Sequence, residues 1–78
     1  MKESVYKFVE LVGTHPESWE KAAASAVRLA AQKYSDLRIA EVSELDLQIY
    51  GGAIVNYRAK VKISYKWEEN DAEKKPGE

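Results

Sequence analysis

The residues of this chain that could do chemistry are few and scattered. Catalysis needs an activated nucleophile, a tuned general acid or base, or a bound metal ion. The chain has no cysteine and one histidine, His15, and the spacing of its serines predicts no histidine partner. The acidic residues Glu10, Glu41, Glu44 and Asp46 accompany lysines and arginines, so ion pairing is the simpler interpretation. The sequence therefore indicates that the protein is not an enzyme.

Composition and charge narrow the range of partners. Twelve basic and thirteen acidic residues give a net charge of −1, which argues against a dedicated nucleic-acid or membrane-surface protein. Residues 1–5 contain no apolar signal core, and no apolar run approaches the ~18 residues of a membrane span. We expect a soluble, cytoplasmic protein, and the absence of cysteine fits a reducing compartment.

A long alternation at residues 55–67 predicts the main strand. Odd positions from Val55 to Trp67 are apolar and even positions are polar, which is typical of a strand with one buried face. At ~3.4 Å per residue the strand would extend roughly 44 Å, beyond the roughly 30 Å diameter of a compact domain of this size. Since such small domains often need oligomerisation, we expect the strand to curl around another element or extend into a neighbouring subunit.

A short strand and an alanine-rich helix precede it. Residues 5–12 are β-favouring types, and Gly13 ends that strand. Residues 14–17 fit a capping box, which predicts that a helix begins there and ends at Ser35. Its apolar positions recur at three- and four-residue spacing and are mostly alanine. Such small side chains let a sheet approach the helix closely.

Residues 37–49 form the second strand, which joins the third in a hairpin. Pairing of the first strand with the free edge of the third then gives an α+β fold of the order β-α-β-β. The expected architecture is a three-stranded antiparallel curved sheet wrapped around one helix. Residues 1–68 form this single domain, and residues 69–78 are a polar tail that we expect to be disordered.

The apolar positions of the second strand change phase, which predicts a β-bulge at Ser43 and Glu44. With a hairpin loop of residues 51–53, Ile49 faces Val55. On the outer face, the same register places each acid of the second strand beside a base of the third: Asp46 with Arg58, Glu44 with Lys60, and Glu41 with Lys62. The bases are therefore matched locally, which argues against a groove for nucleic acid.

Some large apolar side chains lie outside the area of the sheet that one helix can cover. By this register Leu37 and Ile39 lie on the outer face, where they indicate an interface or a ligand platform. Tyr65 and Trp67 continue the inner face beyond the helix, and Trp19 is a core or interface residue near the helix start. These residues support burial against a second subunit.

Several segments in order closely resemble the dodecin family. They are SVYK at residues 4–7, ELVGT at 10–14, SWE at 18–20, DLRIAEV at 36–42 and YRAKVKI at 57–63. The resemblance covers about residues 5–68. It implies a β-α-β-β fold and a hollow homododecamer of cubic symmetry. It also implies that riboflavin or its nucleotides bind in pairs between subunits, in a store or scavenger rather than an enzyme.

The resemblance also reveals two departures at the flavin site. Ile39 occupies the position of the tryptophan that stacks on the isoalloxazine ring, and Arg58 occupies that of a third-strand glutamine. Isoleucine has no π face, and an aromatic contact contributes about 1 kcal/mol. Arginine only donates hydrogen bonds, whereas glutamine donates and accepts. We therefore expect flavin binding to be weak or absent.

Chains with isoleucine or valine at that position resemble the branch described as calcium dodecins. The hard oxygen donors suited to calcium are Glu17, Glu41, Glu44 and Asp46, with no prediction of which bind. Two interpretations stay open. One is a dodecameric store for a small ligand with an altered flavin-type site. The other is a calcium-binding or purely structural dodecameric shell without flavin.

Overall fold

The computed structural model describes residues 4–67 and has the predicted β-α-β-β order. Its elements are β1 (Val5–His15), α1 (Trp19–Lys33), β2 (Leu37–Tyr50) and β3 (Ala53–Trp67). The sheet order is β1-β3-β2, and both pairings are antiparallel, so β3 is central as predicted. The tail predicted at residues 69–78 lies outside the described residues.

Strand β1 is longer than predicted, because Gly13 does not end it. Gly13 pairs with Ala59, and the strand continues to His15 opposite Tyr57. Gly13 is needed for a close approach instead: a Cβ atom there would lie 2.0 Å from the carbonyl oxygen of Ala22 on α1. The glycine lets the helix cross the sheet at contact distance.

Helix α1 begins later than the capping box predicted. Its N-cap is Ser18, whose Oγ accepts a hydrogen bond from the Lys21 backbone N–H at 3.1 Å. The start predicted from residues 14–17 is wrong, because those residues complete β1 and the connecting turn. In that turn, the Glu17 backbone N–H donates to Nδ1 of His15 at 3.0 Å. At the other end, the Tyr34 N–H donates to the Ala30 carbonyl, so the helix ends before Ser35.

The core is small and lies between α1 and the inner face of the sheet, which is the face turned toward the helix. Its large fully buried side chains are Val61 and Ile63. The other members are alanines, as the stripe predicted: Ala22, Ala26, Ala30 and Ala59. Complete burial of a Val or Ile side chain contributes about 1.5–3 kcal/mol. Two such residues give modest support to a domain of this length.

The register of the β2–β3 hairpin confirms the predicted bulge. Val42 pairs with Val61 and Glu44 with Lys60, so Ser43 is the extra residue. The Ser43 hydroxyl donates to the Lys60 carbonyl at 3.2 Å. Because the bulge reverses the phase of β2, apolar residues on both sides of it face the helix layer.

The hairpin loop is tighter than predicted. Gly51 and Gly52 alone form it, with φ angles of 60° and 79°, and these positive angles at both central positions are typical of a type I′ turn. Ile49 therefore pairs with Ile54 rather than with Val55. A register shift between Gln48 and Ile49 compensates for the shorter loop, so the predicted pairing holds from Gln48 with Asn56 onward.

The chain is elongated and thin. Its extents are 53 × 27 × 13 Å and its radius of gyration is 15.5 Å, above the roughly 11–12 Å expected of a compact domain this long. Within residues 4–67, no helix is long and apolar enough to cross a membrane. The long strand β3 therefore makes the molecule elongated, and the ends of the sheet extend beyond the helix.

Candidate functional site

A shallow groove on the outer face of the sheet surrounds Ile39. The outer face is the one turned away from α1, and on it Ile39 and Phe8 both pair with Ser64, one from each side. Small Ser64 between two larger neighbours leaves a depression of about 580 Å³, lined by Tyr6, Arg38, Ile39 and Ser64. Ile39 is 66% exposed there. The groove can hold an apolar or aromatic ligand against Ile39 and Tyr6.

Arg58 is held by an acid on the neighbouring strand. Its Nε and Nη2 donate to the two carboxylate oxygens of Asp46, at 2.7 and 3.0 Å. These hydrogen bonds hold the pKa of Asp46 below its ordinary value and raise that of Arg58. Because the guanidinium fork is engaged by a carboxylate, a ligand would have to compete with Asp46 for it.

One chain does not bring Ile39 and Arg58 together. Ile39 pairs with Ser64, which is six residues along β3 from Arg58. At ~3.4 Å per residue the two positions are about 20 Å apart on the same face. A site that uses both residues on one small ligand therefore requires two chains.

Three residues of the groove region were not predicted from the sequence: Tyr6, Phe8 and Arg38. Tyr6 and Phe8 lie two residues apart on β1, so a strand places them on the same face. Their neighbours on that face depend on the β1–β3 register, which residues 5–12 alone do not determine. In the structure, Lys62 lies over the Phe8 ring at 4.8 Å. Arg38 lines the groove while its guanidinium donates to both carboxylate oxygens of Asp36, at 2.8 and 3.3 Å.

Leu37 does not lie on the outer face, so that prediction is wrong. A register shift between Leu37 and Ile39 places Leu37 opposite Tyr65, and it packs against the core. The turn before it contains Asp36 with a positive φ of 62°. The ion pair with Arg38 holds the pKa of Asp36 below its ordinary value. The alternation of apolar and polar residues alone therefore does not predict the backbone conformation at the start of β2.

The acids that could bind calcium do not form a cage in one chain. Glu41 and Glu44 are opposite Lys62 and Lys60, as predicted, with 3.9 Å between Glu44 Oε1 and Lys60 Nζ. At the start of α1, a hydrogen bond and ion pair with Lys21 lower the pKa of Glu17. Within residues 4–67, no three His, Cys, Asp or Glu side chains lie close enough to hold a metal ion together.

A second cavity of about 420 Å³ lies between the first turns of α1 and the inner face of β2. Its lining residues are Trp19, Glu20, Ala23, Val42 and Leu45. The Trp19 ring is fixed, because its Nε1–H donates to the Asp46 carbonyl at 3.0 Å and its edge meets Tyr57 at a centroid distance of 5.2 Å. The helix leaves this part of β2 uncovered, so an apolar partner can reach it.

The two aromatic residues at the end of β3 differ in their surroundings. Tyr65 is covered within the chain by Tyr34, and their rings stack at a centroid distance of 4.7 Å. The prediction that Tyr65 lies beyond the helix is therefore wrong, since the helix cap reaches it. Trp67 is more exposed, and Lys7 Nζ lies 4.0 Å from its ring centroid.

The known proteins that this chain resembles in sequence and in structure are dodecins. The family model described as Dodecin matches residues 5–68. The calcium dodecin of Mycobacterium tuberculosis is 43% identical over 63 residues, which cover 81% of this chain and 89% of the relative. The dodecin structure from Streptomyces coelicolor superposes with a TM-score of 0.82 at 30% identity, covering 88% of this chain and 99% of that one. A calcium dodecin structure from M. tuberculosis, described as calcium-chelating, has a TM-score of 0.76 at 38% identity and covers 94% and 99%.

Proposed function

The chain belongs to the dodecin family, and we propose that it forms a closed homododecamer that binds and stores a small ligand between subunits. The observation that carries the proposal is the separation of Ile39 from Arg58, which makes any site using both residues a property of two copies. The open groove at Ile39 supplies one wall of such a site. Cytoplasmic storage without catalysis fits the cysteine-free composition and the balanced charge.

Flavin is a poor ligand for this site in our proposal. The aromatic surface of the groove comes from Tyr6 at its side, while Ile39 supplies an apolar wall without a π face. At the second position of the site, the N–H groups of Arg58 already donate hydrogen bonds to Asp46, with which a flavin would have to compete. Both substitutions weaken recognition of a planar, hydrogen-bonding ring, so we expect flavin affinity well below that of a dodecin with tryptophan and glutamine.

A titration of riboflavin fluorescence, combined with light scattering, tests the proposal. We expect a particle near twelve times 8.8 kDa, about 106 kDa, and shallow quenching that does not saturate at low micromolar flavin. A stable 8.8 kDa monomer would contradict the assembly. Tight, stoichiometric quenching would contradict the altered site while leaving the assembly intact.

Calcium is a second candidate ligand, favoured by the relative named calcium dodecin and by the row of acids on β2. Those acids face bases within their own chain, so calcium would have to compete with these bases for the carboxylates. Thermal melting in calcium, with magnesium at the same concentration and a chelator as controls, tests this candidate. A calcium-specific rise in melting temperature supports it. Equal curves in all three conditions would exclude stabilising calcium binding.

A further inference from the structure

Two tyrosine rings stack at the point where helix α1 ends. Tyr34 is the C-cap of α1, and Tyr65 lies on the inner face of β3. Their ring centroids are 4.7 Å apart, with an angle of 27° between the ring planes. Within residues 4–67, which contain all five tyrosines of the chain, this is the one ring contact between two tyrosines. The pair lines neither the outer groove nor the cavity beside the start of α1.

The backbone on both sides holds the two rings together. The Tyr34 N–H donates to the Ala30 carbonyl at 2.8 Å, which fixes Tyr34 at the end of the helix. Tyr65 lies in the central strand, between Lys7 of β1 and Leu37 of β2. Both side chains are half-buried, so a small reagent can reach the phenol groups from solvent. The fold therefore keeps two accessible phenols in contact.

The composition of the chain directs oxidation to aromatic side chains. Sulfur, the usual site of oxidation, is nearly absent, because the chain has no cysteine and its one methionine is Met1. Trp67 lies two residues from Tyr65 on the same face, but Lys7 Nζ is 4.0 Å from the centroid of its ring. A positive charge at that distance disfavours a radical cation on the indole. A phenol loses a proton together with its electron and stays neutral, so the neighbouring tyrosines are favoured as the final sites of oxidation.

We propose that Tyr34 and Tyr65 form a site of covalent cross-linking by one-electron oxidants, such as haem peroxidases or photoexcited metal complexes. Each phenol gives one electron to an oxidant and one proton to water, which produces two neutral phenoxyl radicals. The radicals join through one ring carbon beside each phenol oxygen, and the hydrogens on those two carbons move as protons to the oxygens. The product is a dityrosine with two hydrogens fewer than the separate rings, and two oxidant molecules are each reduced by one electron.

The cross-link joins the end of α1 to the central strand. It closes a loop of the chain that contains β2 and the hairpin. A covalent bond between residues distant in sequence restricts the unfolded chain, as a disulfide does. Because the folded rings are already in contact, we expect the oxidised protein to melt at a higher temperature than the untreated protein. The site needs one chain only, so it is independent of the ligand and the assembly in the proposed function.

Photochemical oxidation of the purified protein with a ruthenium tris-bipyridyl complex and persulfate tests the site. We expect dityrosine fluorescence and, after denaturation, the mass of one chain less two hydrogens. Trypsin cuts the chain so that its tyrosines lie in four peptides: residues 3–7, 34–38, 39–58 and 63–66. We expect the cross-link to join the peptide that contains Tyr34 to the peptide that contains Tyr65.

Two phenylalanine variants are the matched controls. Tyr34→Phe keeps a ring in the stack but removes its phenol, so we expect the linked peptides and the fluorescence to fall to background. Tyr50→Phe removes a tyrosine that is 79% exposed and should leave both readouts unchanged. Circular dichroism checks that the variants are folded, and Tyr65→Phe replaces Tyr34→Phe should that variant fail to fold.

Other products would refute the site. Linkage through residues 39–58 would mean that exposure, rather than stacking, decides which tyrosines couple. A denatured mass of two chains would place the bond between copies. Undiminished fluorescence in Tyr34→Phe, or oxidised tryptophan without dityrosine in the wild-type protein, would also contradict the proposal. Light scattering before oxidation tests the proposed assembly separately.

Discussion

At the scale of single residues, we propose that two side chains, Ile39 and Arg58, determine which ligand this protein recognises. Ile39 gives the outer groove an apolar wall, and Arg58 is occupied by Asp46. The sequence predicted the outer-face position of Ile39 and the Asp46–Arg58 pair, while the binding role of Ile39 and Arg58 stays a prediction. It did not predict Tyr6 or Arg38 as neighbours of Ile39, because strand pairing across 50 or more residues brings Tyr6 to the groove and a register shift brings Arg38 there.

Ile39→Trp should strengthen riboflavin binding. An indole ring at this exposed position adds a stacking surface to the groove, which contributes about 1 kcal/mol, or roughly fivefold in affinity. Ile39→Leu is the matched control, since it changes shape without adding a π face, and it should leave the affinity unchanged. The measurement is quenching of riboflavin fluorescence. Equal affinity of the tryptophan and leucine variants would contradict this account of the groove.

Acid should destabilise the protein through its ion-paired carboxylates. The pKa values of Glu17, Asp36 and Asp46 are lowered by their cationic partners. A lowered pKa in the folded state gives stabilisation that is complete above the unfolded value, near pH 4, and is lost as the pH falls below it. We expect the melting temperature to drop across that range, and to drop less in Asp46→Asn. The same acid dependence in the variant would show that the pair contributes nothing.

At the scale of elements, the most informative difference concerns the start of α1. The bulge at Ser43 was predictable, because a change of apolar phase within one strand leaves few alternatives. The helix start was not, because the capping box at residues 14–17 was the cap that the sequence pattern indicated, and Ser18 is the one that the structure has. Residues 14–17 satisfy a local pattern, yet pairing of Thr14 with Arg58 keeps them in the sheet. Tertiary pairing therefore selected Ser18 as the cap.

Ser18→Ala should destabilise the protein by about 1 kcal/mol, whereas Thr14→Ala should change its stability far less. Ser18 Oγ accepts the Lys21 N–H, and loss of such a cap typically costs about 0.5–2 kcal/mol. Thr14 is the matched control, because it is the cap that the sequence pattern favoured. Chemical denaturation of both variants measures the difference. A larger effect at Thr14 would indicate that the helix begins earlier than the structure has it.

At the scale of the whole molecule, exposed apolar surface dominates. Among residues 4–67, fifteen large hydrophobic side chains are exposed, while the fully buried large ones are Val61 and Ile63. A chain with this distribution gains little by folding alone and much by association. The small core, the elongated shape and the dodecin fold therefore support our proposal that the chain assembles, and we expect assembly to supply much of its stability.

The melting temperature should consequently rise with protein concentration. When folding and assembly are coupled, mass action stabilises the folded subunit as the concentration increases. A dilution series over about two orders of magnitude, followed by fluorescence of Trp19 and Trp67, measures the effect. A melting temperature that does not change, with the particle still intact at the lowest concentration, would mean that subunits unfold without dissociating.

The strand order has a consequence for how the chain is made. Strands β1 and β2 both pair with β3, which is synthesised last among the elements of residues 4–67, so Val5 can pair only after Trp67 has been made. At ~5–20 residues per second, β1 and α1 exist for several seconds before the strand that organises them. Premature release of the polypeptide before residue 53 would leave two strands without a sheet. A ribosome must therefore synthesise residues beyond 53 before any part of this sheet can form.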